Sequence, residues 1–315
     1  MAARDPKTIL EDLDKALGKI TWQGPPSDLS HLGDPDHLTC FQKMGNYKDV
    51  ISKWLVQKGR ELVKLNKDGA SLEQFQICSI GCGDGSLDQR ILSDLVKLFP
   101  STTFHYMGTD ADDQICEVAE SKLKGLAPNV EVEVLVKDYQ ELEDDDIATR
   151  FDLVIMVNSI SAYYTTSLEP LLKGVIHLLK PTGELVIISS SRQSFDELVA
   201  RFWLHQQNQE LQSTEFVTKA LDKLDVKHNI YKEPLTFDLS QCFGDKFETP
   251  HSQNILDHLV LTRLKDYPPD VSELCTEYLE AIAEPGKPEK YSVVSISDMI
   301  VVGGKDAYNS TDAQK

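Results

Sequence analysis

The run Ile77–Asp88, ICSIGCGDGSLD, sets three alternating glycines, Gly81, Gly83 and Gly85, after an apolar segment. The helical pattern Leu87, Ile91, Leu92, Leu95, Val96 follows at once. A strand that turns into a helix through glycines lets a ligand touch bare backbone. It also aims the unpaired N–H groups of the helix N-terminus at that ligand. The dinucleotide spacing GxGxxG would need a glycine at position 86, where Ser86 stands. Cys82 and Asp84 read as loop residues that contribute backbone contacts, and a turn that merely shortens a loop is the alternative use of the glycines. Further polar residues close apolar runs downstream: Asp110, Asp138 with Tyr139, and Asn158 with Ser159.

The elements that must position these residues alternate in type. Thr103–Gly108 reads as a strand leading into Thr109-Asp110, and Gln114–Leu123 as a helix. Val130–Val136, VEVEVLV, alternates with the period of a strand, and Phe151–Asn158 is apolar throughout, as in the centre of a sheet covered on both faces. Leu168–Leu179 reads as a helix stopped by Lys180-Pro181-Thr182-Gly183, Glu184–Ser189 as a strand, and Phe195–Phe202 opens another helix. This βαβα order over residues 75–200 predicts an α/β fold with a doubly wound, mostly parallel sheet. Ligands in that architecture sit beyond the carboxyl ends of the strands, where the glycine loop, Asp110, Asp138 and Asn158 all fall.

Outside that stretch the pattern loosens. Residues 1–36 are polar with two proline-containing turns and read as an N-terminal extension. Tyr47–Leu65 carries the helical stripe Val50, Ile51, Trp54, Leu55, Leu62, Val63. Later, Glu215–Leu224, Ile255–Leu264 and Val271–Ala283 read as helices and Val226–Tyr231 as a strand. Phe237–Phe243 is less regular. Tyr291–Val302 closes the sheet, and the polar residues 305–315 read as a disordered tail. The expected organisation is one domain over 37–304, with a helical cover at its start and a substrate-binding insertion near 200–290.

The 315 residues carry 51 acidic and 32 basic side chains, a net charge of −19. Phosphate recognition needs a basic footprint, so nucleic acid is a poor partner; an acidic surface suits a cationic small molecule, and solubility alone explains it as well. No apolar run approaches the roughly 18 residues that span a bilayer. The start, MAARDPKTILEDLDKAL, lacks the apolar core of a signal peptide. The six cysteines are scattered and make no CxxC pair, which suits reduced thiols in the cytoplasm and suggests no metal.

The pattern hydrophobic-x-hydrophobic-Gly-x-Gly-x-Gly resembles the first motif of class I S-adenosylmethionine-dependent methyltransferases. That resemblance implies a seven-stranded Rossmann-like sheet and S-adenosylmethionine as cofactor. On it, Gly81, Gly83 and Gly85 form the cofactor cradle, and one carboxylate, Asp110, accepts both ribose hydroxyls, with Gln114 near the ribose or adenine. Capping the next helix is the other use open to Asp110. Asp138 and Tyr139 would meet the adenine, although a solvent-facing loop acid is the plainer reading. Asn158 and Ser159 would lie by the methionine portion.

A longer set of segments resembles the histamine N-methyltransferase family: SIGCGDGSLDQRIL, IMVNSISAYY, LLKPTGELVIISS followed by SFDEL, and YKEPLTFDLSQCF. The resemblance covers roughly residues 37–303. It implies an enzyme that methylates a small amine or imidazole; a monomer, with neither nucleic acid nor membrane as partner, is the expectation. Tyr163 and Tyr164 match a tyrosine pair near the substrate, Phe41 and Met44 match pocket aromatics, and Phe195 occupies a tryptophan position. Tyr47 and Val50 belong to the helix that covers the substrate, and His258 is a further polar candidate. The family's substrate-anchoring glutamate falls at Val50 without a gap, or at Asp49 with one. Its asparagine near the last strand falls at Val294-Ser295. Those two departures bear on whether histamine itself is the acceptor; a carboxylate or hydroxyl acceptor and a catalytically silent relative are the other readings.

Overall fold

A computed structural model describes residues 4–21, 45–65, 72–137, 150–157, 168–207, 210–211, 213–243, 250–260, 262–285 and 291–304. The strands are β1 (Gln74–Ile80), β2 (Thr103–Asp110), β3 (Val130–Val136), β4 (Phe151–Val157), β5 (Leu179–Ser190), β6 (Asn229–Asp238), β7 (Glu284–Pro285) and β8 (Tyr291–Gly303). The helices are α1 (Pro6–Leu17), α2 (Tyr47–Leu65), α3 (Ser86–Leu98), α4 (Asp113–Leu123), α5 (Glu169–His177), α6 (Asp196–Gln207), α7 (Thr214–Lys223), α8 (Pro250–Val260) and α9 (Pro269–Ile282).

The sheet runs β3-β2-β1-β4-β5-β8-β6, with the two-residue β7 pairing β8. The pairs β1–β2, β1–β4, β2–β3 and β4–β5 are parallel. The last strand reverses. Ser191 N–H donates to the Ile296 carbonyl while Gly304 lies against Lys180, so β8 runs antiparallel to β5. This is an α/β arrangement with a mostly parallel sheet of seven strands in one path. The chain winds outward from β1 through β2 to β3, then returns to β4 on the other side of β1. The loop after β1 therefore stands at the topological switch point, where such sheets open a crevice.

Residue patterning explains the order. In β4 the first six residues are buried, as a central strand requires. β3 instead leaves Glu131 and Glu133 exposed, which suits an edge whose open backbone must not attract other chains. On one face, Leu171, Leu172, Val175 and Ile176 of α5 and Val217, Ala220 and Leu221 of α7 join Val154, Met156, Leu185, Ile187 and Ile300 in a single core cluster. Burying that much aliphatic surface at about 25 cal/mol per Å² provides most of the drive for closing this layer.

Two compact units divide the chain. One comprises residues 49–189, 212–232 and 298–315 and holds most of the sheet; the other comprises 1–48, 190–211 and 233–297. In the second unit α1 packs on α9 and α6, and α6 packs on α8. Residues 1–36 are expected to be a polar extension with two proline-containing turns, whereas Pro6–Leu17 forms a capped amphipathic helix, α1. Asp5 accepts the Thr8 N–H at 3.3 Å, Pro6 opens the first turn, and Ile9, Leu10, Leu13, Ala16 and Leu17 are buried. The helical period was present; its charged outer face hides the stripe from a composition argument.

Several element boundaries also shift. Helix α5 stops at His177, and Leu179 already pairs with Phe151 in the sheet. The ladder then slips and resumes at Leu153–Glu184, so Lys180–Gly183 bulge out of β5 and do not precede it. The expected helix 255–264 is instead α8, ending at Val260, followed by a short 3₁₀ turn, Leu264–Asp266. The expected strand Val226–Tyr231 begins later and is longer, and its second half takes in Phe237. Among the described residues no helix is long and apolar enough to cross a membrane.

Candidate active site

The loop after β1 is left-handed at each of its glycines: φ is +68° at Gly81, +54° at Gly83 and +68° at Gly85. Cys82 N–H donates to the Thr109 carbonyl at 2.9 Å, which pins the loop to the end of β2. Gly83 N–H donates to Asp110 Oδ2 at 3.0 Å, and Asp112 N–H donates to Asp110 Oδ1 at 3.2 Å. An ionised carboxylate has about four lone-pair sites, so Asp110 is oriented by backbone and still able to accept two hydroxyls. Helix capping, the competing use of Asp110, belongs to its neighbour: Asp112 is the N-cap of α4 and accepts Ile115 N–H at 3.1 Å.

The glycines serve different ends. A Cβ on Gly85 would stand 3.1 Å from both Ala119 Cα and Cβ, so this glycine lets α4 approach the loop. A Cβ on Gly83 would meet nothing within 4 Å. Bare backbone facing open space, beside an oriented carboxylate, fits a ribose; that is the fit the cofactor requires.

Two further acids brace the loop. Asp84 accepts from Lys122 Nζ and from Ser86 Oγ, both at 2.5 Å, and Lys122 Nζ also reaches Ser86 Oγ at 2.8 Å. Burial works against the Asp84 charge, but the hydrogen bonds from Lys122 and Ser86 and the ammonium charge hold its carboxyl below the usual range. Asp88, in the first turn of α3, is buried. Burial raises its carboxyl to about 6, and the hydroxyls of Ser79 and Tyr106 offset only part of the cost. The cysteines nearby are inert: burial pushes the Cys78 and Cys82 thiols up, and Cys78, Cys82, Cys116, Cys242 and Cys275 are all free.

Other sequence candidates are placed as follows. Gln114 is exposed in the first turn of α4, four residues after Asp110. Tyr47 opens α2 and is partly buried, as is Val50. Asp49 is exposed and ion-paired with Arg90 at 2.5 Å, so its charge is already engaged on the surface. His258 lies on α8. Phe41, Met44, Asp138, Tyr139, Asn158, Ser159, Tyr163 and Tyr164 lie outside the described residues.

The second unit gathers residues from four distant segments. Phe195 is buried and meets the edge of Phe237 at 4.9 Å between ring centroids. Gly45 bridges Phe237, and a Cβ there would stand 2.8 Å from the Phe237 ring, so only glycine lets the backbone approach. Asn46 adds two bonds to β6, its N–H to the Thr236 carbonyl at 3.1 Å and its Oδ1 accepting Thr236 N–H at 2.9 Å. Ser295 Oγ donates to Asp196 Oδ2 at 2.8 Å. Sequence reasoning passed over Asp88, Asp196 and Phe237. Asp88 and Asp196 each open a helix, where an acid reads as a helix-terminus residue, and nothing in the sequence marks them as buried.

Several known proteins are similar to this chain. Residues 78–185, from the middle of β1 into β5, match the family described as a methyltransferase domain. Squalestatin tetraketide synthase from a Phoma species is 25% identical over 64% of this chain, which spans only 8% of that synthase's length. Histamine N-methyltransferase from Rattus norvegicus is also 25% identical, over 69% of this chain and 76% of that enzyme. Among solved structures, a carbon methyltransferase, CurJ, superposes with a TM-score of 0.48 at 16% identity, covering 95% of this chain and 67% of that one. The matched segment, residues 78–185, holds the glycine cradle and the oriented Asp110, and both fit S-adenosylmethionine as cofactor.

Proposed function

We propose that this chain is a small-molecule N-methyltransferase acting on an amine or imidazole, and that it works as a monomer in the cytoplasm. The observation that carries this reading is extent of similarity. Likeness to histamine N-methyltransferase runs over three quarters of a stand-alone enzyme, whereas likeness to the synthase touches a small part of a much longer chain.

When bound, S-adenosylmethionine supplies a methyl group on an already positive sulfur. The protein's task is then to hold a neutral nitrogen lone pair in line with that carbon and to exclude water. An imidazole, with an ordinary pKa of about 6.5, is largely neutral at pH 7 and needs no strong base. An aliphatic amine must first lose a proton, which a tyrosine or carboxylate can accept. In this reading Asp110 and the Gly83 backbone hold the ribose and Asp138 and Tyr139 meet the adenine. Asn158 and Ser159 flank the methionine portion, and Tyr163 and Tyr164 orient the acceptor.

The equal 25% identity to squalestatin tetraketide synthase favours one second reading, an acceptor of another chemical class on the same scaffold. One experiment separates them. Purified protein is titrated calorimetrically with S-adenosylmethionine. It is then assayed with labelled donor against histamine, carnosine-like peptides, histidine, tyramine, tryptamine and matched carboxylate and hydroxyl compounds. Micromolar-range cofactor binding with turnover of an amine or imidazole is the expected result. Turnover confined to carboxylates or hydroxyls replaces the acceptor class, and absence of cofactor binding removes the enzyme reading.

A further inference from the structure

Asp88 lies in the first turn of α3, directly after the glycine loop, and is only 4% exposed. Among the described residues no cation pairs with it. From β1 the Ser79 hydroxyl and the Cys78 thiol act on it, from β2 the Tyr106 hydroxyl, and from the loop Cys82 and Asp84. Both thiols and the phenol stay neutral, because burial pushes each of them up. Burial raises the Asp88 carboxyl to about 6; Ser79, Tyr106 and its own backbone N–H lower it, and the charge of Asp84 raises it. Asp84 already has a cation, Lys122 Nζ at 2.5 Å. Asp88 has none.

Geometry ties this acid to the cofactor crevice. A Cβ on Gly108 would stand 2.8 Å from the Tyr106 hydroxyl and 3.0 Å from Cys82 Sγ, so the glycine lets phenol and loop thiol close up behind the loop. Cys82 feels the charge of both Asp88 and Asp110, so both acids lie close to it. Asp110 in turn accepts Gly83 N–H at 3.0 Å, where a Cβ would meet nothing within 4 Å. All these residues belong to the compact unit that includes 49–189.

S-adenosylmethionine carries a positive sulfur joined to its ribose through one methylene, so a ribose on Asp110 sets that charge in the crevice at the loop. S-adenosylhomocysteine, the product, has the same sugar and a neutral sulfur. A buried carboxylate without a counter-charge attracts the first and is indifferent to the second, because a charge shielded from water acts beyond contact distance. We propose that Asp88 is a specificity-determining residue that makes the glycine loop prefer the charged donor over its neutral product, acting through space from behind the loop. The inference rests on the S-adenosylmethionine reading of that loop and adds to it the means by which donor and product are told apart. Asp110 grips the sugar common to both ligands, whereas Asp88 reads the sulfur. Once the methyl group has left, Asp88 no longer favours the bound molecule, and the product is held less tightly than the donor was.

The test titrates full-length protein calorimetrically with S-adenosylmethionine and, separately, with S-adenosylhomocysteine, across the acid-to-neutral range and in two buffers of different ionisation enthalpy. A nearby positive charge favours the ionised carboxyl, so donor binding should pull the Asp88 pKa below about 6 and release a proton near that pH. The product should release none from this group. Both ligands carry the same amino group, whose ordinary pKa of about 7.7–8.0 keeps it protonated there. The donor-to-product affinity ratio should therefore rise with pH through about 6 and level off toward neutrality. Asp88→Asn should lower that ratio at neutral pH roughly threefold to tenfold, the scale of one buried charge at an effective dielectric of about 20 or more. It should also abolish the difference in proton release. Ser79→Ala, which removes a hydroxyl that favours the charge, should move the rise in the ratio to higher pH. A merely structural Asp88 would weaken both ligands alike when replaced, and that result overturns the proposal. So does a ratio that Asp88→Asn leaves unchanged, or a wild type that releases the same protons with both ligands near pH 6. Binding of neither ligand removes the cofactor reading, and this inference with it.

Discussion

The glycine loop and the Phe195–Asp196 corner both gather polar groups in an otherwise apolar fold, yet they are assembled in opposite ways. The loop is local. Gly81, Gly83, Gly85 and Asp88 lie within eight positions, and Asp110 closes the neighbouring parallel strand, so adjacent β1 and β2 deliver every group. The corner draws on Gly45, Ser190 to Asp196, Phe237 and Ser295, segments that meet only when the second unit folds. A local site depends on backbone conformation, whereas a gathered one depends on packing. The two should therefore respond differently to substitution.

The largest effect is expected from Phe237→Ala. It removes a fully buried ring that touches Phe195 and underlies the Gly45 bridge, and should cost about 3–5 kcal/mol in chemical denaturation. Cofactor affinity of the folded protein should barely change; a large loss of cofactor binding would break the contrast between the two regions.

Asp110→Ala is the converse. Its carboxylate accepts a loop N–H and is the proposed ribose acceptor, so S-adenosylmethionine affinity should drop roughly 10- to 100-fold by calorimetry, as for hydrogen bonds to charged groups. Unfolding should shift by only about 1 kcal/mol.

Asp88→Asn sharpens the picture from the opposite sign. A carboxyl raised by burial from 3.8 to about 6 binds its proton more tightly in the folded state than in the unfolded one. Its ionisation therefore destabilises the fold above pH 6, and stability is recovered as pH falls toward 4. The asparagine should stabilise the protein near neutrality by about 1–3 kcal/mol, an advantage that disappears below about pH 4. A constant difference across pH would show that the Asp88 carboxyl titrates alike in the folded and unfolded states.

The smallest effect belongs to Asp49→Ala. Its partner Arg90 and Asp49 itself are both about half exposed, so the pair is worth no more than about 0.5 kcal/mol. If acceptor binding collapsed in this variant, Asp49 would have a role beyond its surface pair with Arg90.

Much of the sheet is written in local patterns. An unbroken apolar run marks β4 as central, the alternation in VEVEVLV marks β3 as half-exposed, and glycines mark the turn after β1. Legibility fails where two signals compete. Lys180-Pro181-Thr182-Gly183 reads as a helix stop because proline and glycine end helices, but here they form a bulge within β5, since Leu179 had already joined the sheet. The stripe of α1 was readable and was outweighed by the acids and lysines around it.

What the sequence alone determined is the cofactor end: left-handed backbone needs glycine, and glycine spacing with one acid at a strand end is a short-range code that survives in linear order. Tertiary structure alone decided which acid caps α4, which glycine faces open space, and which carboxylates are buried. Burial and pairing are properties of neighbours brought from far along the chain. Asp196 and Ser295, 99 residues apart, become one group only when β8 returns beside β5.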